Sequence, residues 1–271
     1  MPTDIALNTA ALIALLPALL AAWKGDAGQS APRFWMLLAV SVAGPVVWTV
    51  AAATAIADWR TDLSFALWVS VSASMTVFTA AAVFDRNVLR LSPLFLGLMV
   101  FLAVLASLSR NAVNAAPLVI APGDEGWLWF HIGVSVATYA LLTVAAAASL
   151  AALLQERALK RKTPLKRPAG LPAVLECEGV VVRFLWLSAA VLVLGMATGT
   201  AINLTHGAPV LNADHKTIFA VAAFIVICAL LYAHQKTGAR GRQVARLVLL
   251  AYLFVTLAYP GVKFVTSVLL A

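Results

Sequence analysis

The residues best equipped for chemistry are four histidines, His131, His206, His215 and His234. A neutral imidazole nitrogen ligates metals and haem iron. His131 follows the aromatic run Trp127-Leu-Trp129-Phe130, and His215 sits in Asn212-Ala-Asp214-His215-Lys216. Two imidazoles at one depth on neighbouring helices can supply both axial positions of a haem. A histidine at a membrane boundary is equally an ordinary amphipathic residue, and residue types alone leave both readings open. Other chemistries lack their motifs. There is no His-Glu-x-x-His, no Gly-x-Ser-x-Gly and no phosphate-binding loop. The two cysteines, Cys177 and Cys228, form neither Cys-x-x-Cys nor Cys-x-x-Cys-His, which excludes thiol exchange and covalent haem attachment by motif. They read as small, inert apolar residues. The acids Asp58, Asp62, Asp124, Glu125 and Asp214 have no metal-site spacing.

The elements that must position these histidines are set by composition. Of 271 residues, 63% are apolar and 11% are charged. A soluble domain is about 45–50% apolar and about 25% charged, so a water-soluble enzyme and a disordered chain are both excluded. Eight apolar stretches stand out: Ile5–Trp23, Phe34–Ile56, Leu63–Phe84, Leu91–Ser109, Trp127–Leu154, Val180–Ile202, His215–Ala233 and Leu247–Leu270. They are too long and too uniform for strands, and a lipid-exposed backbone satisfies itself best as helix. The expected fold is all-α: a polytopic membrane bundle of about eight transmembrane helices, with residues 1–271 one integral-membrane domain. The first stretch has no Lys or Arg before it, so it reads as an uncleaved span rather than a signal peptide.

Charge placement orients the bundle. The loops after spans one, three, five and seven hold fifteen Lys and Arg. The other side holds Arg60, Arg110 and Lys216, and Lys263 lies within the last stretch. Basic residues collect in cytoplasmic loops, so both termini are expected on the outer, periplasmic face. The net charge of +8 has this explanation and needs no nucleic-acid partner. The longest cytoplasmic segment, residues 155–179, starts as a basic helical extension over Gln155–Lys162 and is broken at Pro164, Pro168 and Pro172. Leu171–Val182 is expected as a short helix along the interface, and the basic cluster can touch anionic lipid. His131 and His215 both open spans running inward from outside, which puts them at one depth near the outer surface. His206 lies in the loop before span seven, and His234 lies at its cytoplasmic end.

Within the membrane, Gly195-Met-Ala-Thr-Gly199 is a Gly-x-x-x-Gly packing motif. The hydroxyls Ser64, Ser70, Ser72, Ser74, Thr76 and Thr79 of span three are expected to bond across helices or to their own carbonyls. Gly44-Pro45 should kink span two, and Tyr259-Pro260-Gly261 should break span eight. Lys263 beyond that break either snorkels outward or meets an anionic partner.

The chain resembles the cytochrome c assembly protein family in its short CcsA-like and HemX-like branch, most nearly the small YpjD-like inner-membrane proteins. The resemblance rests on Trp129-Phe-His131-Ile with Ser135 and Tyr139-Ala-Leu, then Gln155-Glu-Arg-Ala-Leu-Lys160. It continues in Leu171-Pro172, Leu175, Glu178, Gly195 and Gly199, then His215-Lys216-Thr217, Gly241-Arg242 and Ala258-Tyr259 through Lys263-Phe264-Val265. It implies haem handling during cytochrome c maturation in a bacterial inner membrane. His131 and His215 match the outer histidine pair that holds haem in larger relatives. The implied cofactor is a non-covalent b-type haem with these two as axial ligands. Trp127, Trp129 and Phe130 would form an apolar wall for the porphyrin. Arg110, Lys216 and Lys263, with Arg60 next, would meet its propionates. Asp214 or a backbone carbonyl would orient an imidazole. The sequence departs from the larger relatives in two ways. The loop Asn203–Asp214 has no tryptophan, and no second histidine pair lies within the bilayer, so ligase or haem-export activity does not follow.

The leading expectation is therefore a haem-binding membrane protein that assists cytochrome c assembly without catalytic turnover. Its partners would be haem, the lipid bilayer and other cytochrome c assembly proteins. The alternative is a haem-free scaffold or regulator of haem synthesis or of a transporter, working through its basic cytoplasmic loop. A transporter itself is less favoured, since no inverted repeat with broken helices is evident.

Overall fold

The computed structural model describes residues 2–24, 32–54, 62–109, 125–160, 170–205, 214–237 and 241–261. At 2–4, 125, 205, 215, 216, 237, 259 and 260 it describes the backbone only. In chain order the helices are α1 Pro2–Ala22, α2 Pro32–Thr54, α3 Leu63–Phe84, α4 Arg86–Arg90 and α5 Ser92–Leu108. They continue with α6 Glu125–Lys160, α7 Val174–Thr205, α8 His215–Thr237 and α9 Arg242–Thr256, which runs into a π-helical turn at Leu257–Gly261. The described residues contain no strand. Six helices (α1, α2, α3, α6, α7 and α8) are long and apolar enough to cross a membrane. The seventh expected span is α5, shorter at 17 residues but near the lower end of what a bilayer needs, about 17–25. The eighth begins as α9, and its remainder lies outside the described residues.

Helix α6 is the hub. Of its spanning window 72% is buried, against 22% for α2 and for α8. Its inner stretch is rich in small side chains, Ala145, Ala146, Ala147, Ala148, Ala151 and Ala152, all buried. Lipid tails are as apolar as any core, so close backbone approach drives helix association there. The outward faces carry Leu20, Phe101 and Ile225, more than half exposed. Such large apolar residues suit lipid as solvent.

Individual contacts set the order of helices. Gly44 on α2 admits α1, since a Cβ there would stand 2.7 Å from Ala14 Cβ. Nearby, the Ser41 hydroxyl donates across to the Ala14 carbonyl at 2.9 Å. The helix runs through Pro45 without interruption, so close approach to α1 is a role for Gly44 beyond the expected kink. Thr49 and Ser72 hydroxyls join α2 to α3 at 2.8 Å. Phe78 and Phe95 stack at 4.0 Å between α3 and α5. Ser70 and Thr76 bond back to Ala66 and Ser72 carbonyls as expected, whereas the buried Ser64, Ser74 and Thr79 hydroxyls have no partner among the described residues.

The basic ends of the helices meet. Arg90 donates to the Gly170 carbonyl at 2.7 Å and the Leu171 carbonyl at 3.3 Å, and pairs with Glu176 at 3.2 Å. Arg183 pairs with Asp85 at 2.8 Å, and the Gly241 N–H donates to Glu178 at 2.7 Å. Segments following spans three, five and seven thus lie at one end of the bundle, as the alternation of basic loops requires. One expectation is corrected. Leu171–Val182 does not form its own interfacial helix, because α7 starts at Val174 and continues unbroken to Thr205. Glu176 caps this start by accepting the Ala173 N–H at 2.8 Å, and no proline follows Pro172 to interrupt the helix. At the other end of the chain the expected break near Pro260 takes the form of the π turn.

Candidate functional site

His131 lies in the second turn of α6, at the end of the bundle opposite the basic network. Its imidazole faces the last turns of α7. Nδ1 is 3.0 Å from the Thr198 hydroxyl oxygen. A Cβ on Gly199 would stand 3.0 Å from His131 Cε1, and one on Gly195 would stand 3.4 Å from a Val134 methyl. Positions 131 and 134 share a helix face. The Gly-x-x-x-Gly motif is therefore the groove that receives this face of α6. Gly199 does more than permit packing: it leaves the space the imidazole ring occupies.

Thr198 is buried. Its oxygen lies 2.9 Å from the Leu194 carbonyl and 3.0 Å from the Gly195 carbonyl. Carbonyl oxygens only accept, so the hydroxyl proton goes to them. Its two lone pairs remain, and one can accept from the imidazole. With the imidazole donating in this contact, Nδ1 would bear the proton and Nε2 the lone pair that a metal ion requires. The orienting group for His131 is thus a hydroxyl. Asp214, one of the expected orienting groups, caps α8 by accepting the Thr217 N–H at 2.8 Å.

The aromatic neighbours divide. Trp127 and Phe130 pack edge to face with ring centroids 6.3 Å apart. Helix geometry of about 100° per residue sets Trp127 roughly 40° round from His131 and Trp129 roughly 200° round. Trp127 therefore sits on the His131 side and Trp129 on the opposite face of α6. Both indoles are about half exposed.

His215 is the first residue of α8, at the same end of the bundle as His131. Its side chain and that of Lys216 lie outside the described residues, as do Arg60, Arg110, His206 and Lys263 entirely. His234 is at the far, basic end, lining a small cavity with Ser149, Glu178 and Gly241. Among the described residues no group of three or more His, Cys, Asp or Glu side chains is placed to hold a metal ion. Both cysteines are free thiols, Cys177 buried and Cys228 exposed.

The residue that sequence reasoning missed is Thr198. Its one signal was its place between Gly195 and Gly199, with the smallest side chains of the helix on either side. A second set had been visible only as scattered positions. Gln155 donates to the Leu171 and Pro172 carbonyls at 3.1 and 3.3 Å, next to the Arg90 and Glu178 contacts. The resemblance-bearing residues Gln155, Leu171, Pro172, Glu178 and Gly241 converge there in one polar clamp at the basic end.

The chain is 48% identical over the whole of both chains to an uncharacterized 28.8 kDa protein from the nifR3-like 5′ region of Azospirillum brasilense. It is 26% identical to the inner membrane protein YpjD of Escherichia coli over 72% of this chain and 70% of that one. No solved structure matches. The family model for cytochrome C assembly proteins matches residues 37–270, from within α2 to beyond the π turn. The chain is therefore a multi-pass member of the cytochrome c assembly protein family.

Proposed function

We propose that this protein binds haem at the non-basic end of its bundle and assists cytochrome c biogenesis as a binding protein without turnover. The observation that supports this reading is the contact of His131 Nδ1 with the Thr198 hydroxyl at 3.0 Å, which leaves Nε2 as the nitrogen to ligate. His215, opening α8 at the same end, supplies the second axial ligand. These residues suit a haem: two imidazoles, an apolar Trp127–Phe130 surface, and Gly199 leaving room for the ring. When bound, haem brings the redox chemistry of its iron. The chain's own part is to hold the ring nitrogens in place, exclude water and neutralise propionates through Arg110, Lys216 or Lys263. Positive-inside placement puts this end and both termini in the periplasm.

The basic-end clamp favours a second reading, a haem-free scaffold whose ordered cytoplasmic face engages a protein. The experiment that separates the two is an absorption spectrum of the protein purified from cells making cytochrome c. A low-spin haem band supports the first reading. A colourless preparation that also fails to take up added ferric haem b removes it and leaves the scaffold.

A further inference from the structure

We propose that Thr198 is the positioning residue of His131, fixing which ring nitrogen bears the proton, and that Gly199 sets where the ring sits. The purpose of this arrangement rests on the haem reading above, but the arrangement itself can be tested without haem.

A threonine hydroxyl has one proton and two lone pairs. The Leu194 and Gly195 carbonyls, at 2.9 and 3.0 Å, take the proton. They belong to the same helix as Thr198, so this bond is made before any contact with α6. What α7 then offers α6 is an acceptor, and a neutral imidazole meets it with Nδ1–H at 3.0 Å. In water a neutral histidine favours the other tautomer, with the proton on Nε2, which has no lone pair to give a metal. Thr198 reverses that preference. Gly199 acts through space: an alanine Cβ, 3.0 Å from Cε1, is closer than nearly all real contacts, so the ring must move by a few tenths of an ångström. Thr198 and Gly199 therefore form a seat for one imidazole, and Gly195 receives Val134 beside it.

The test is ring-nitrogen NMR on haem-free protein labelled with [15N]histidine in detergent, at about pH 8, where imidazole is ordinarily neutral. The His131 signals are identified by their loss in His131→Gln. In the wild type Nδ1 should be the protonated nitrogen and Nε2 the unprotonated one. Thr198→Val, which keeps shape and removes the acceptor, should shift His131 toward the Nε2–H form. Thr198→Ser should restore the wild-type pattern, which a purely packing role would not require. In a second arm, ferric haem b is titrated into each protein. Thr198→Val should weaken uptake roughly tenfold, the low end for loss of a ligand's hydrogen-bond partner, with Thr198→Ser near wild type. Gly199→Ala, which leaves the hydroxyl in place, should keep the tautomer but perturb the haem spectrum. Wild-type protein with the correct tautomer and no haem uptake would overturn the haem reading alone. A wild type with Nε2–H at His131, or a folded Thr198→Val with an unchanged tautomer, would overturn the positioning role.

Discussion

The hydroxyls of Tyr139 on α6 and Tyr252 on α9 meet at 2.9 Å, with ring centroids 5.5 Å apart. This is a polar bond between helices in an apolar setting. Tyr139 lies two turns further along α6 than His131, so the bond anchors α9 to the helix that carries the histidine. Tyr139→Phe or Tyr252→Phe should each cost about 0.6–1.7 kcal/mol, from the average to the maximum for such bonds in a membrane protein. The double variant should cost less than the sum, because the second change removes a bond already lost. Detergent unfolding of the four proteins gives the cycle, and strict additivity would show that the hydroxyls do not interact.

Gly241 precedes α9 with φ +79° and ψ −148°, a region that side-chain-bearing residues rarely adopt. Gly241→Ala should destabilise the protein by about 1–3 kcal/mol through backbone strain. Glu178→Gln keeps an acceptor for the Gly241 N–H and should cost less. A Gly241→Ala variant with wild-type unfolding would mean that this turn is not built as described.

Arg90 reaches two carbonyls and a carboxylate at once. That is a fork geometry lysine cannot reproduce. Arg90→Lys should speed amide hydrogen exchange around Ala173–Cys177 by about tenfold, corresponding to roughly 1.4 kcal/mol. Unchanged exchange there would show that the clamp does not hold the start of α7.

Much of this was legible in the sequence. The apolar stretches mark the helices because span length and composition are dictated by the bilayer. The depth of His131 follows from its place at the start of a stretch. Lateral neighbours do not follow: that His131 meets Thr198, 67 residues away, depends on which faces of α6 and α7 pack together. Gly195 and Gly199 announced close packing but not its partner. The start of α7 was misplaced because Val174–Gly179 is polar enough to read as interface, while the structure continues it into the span. Likewise Glu178 and Gly241 were visible singly, and their contact across helices was not.

Orientation can be checked by labelling. After Cys228→Ser, single cysteines at Gln29, Leu165 and Thr237 should react with an impermeant thiol reagent only once the cytoplasmic face is opened. Cys177 is buried and should stay silent. Labelling of Thr237→Cys from outside intact cells would reverse the assigned orientation.

The central claim, that His131 and His215 are the axial ligands of one haem, is tested most directly by the absorption spectra of His131→Ala and His215→Ala beside wild type. Each should lose the six-coordinate low-spin spectrum and hold less haem, and added imidazole should restore part of it. His206→Ala and His234→Ala should match wild type. Wild-type spectra from both His131→Ala and His215→Ala would contradict the assignment.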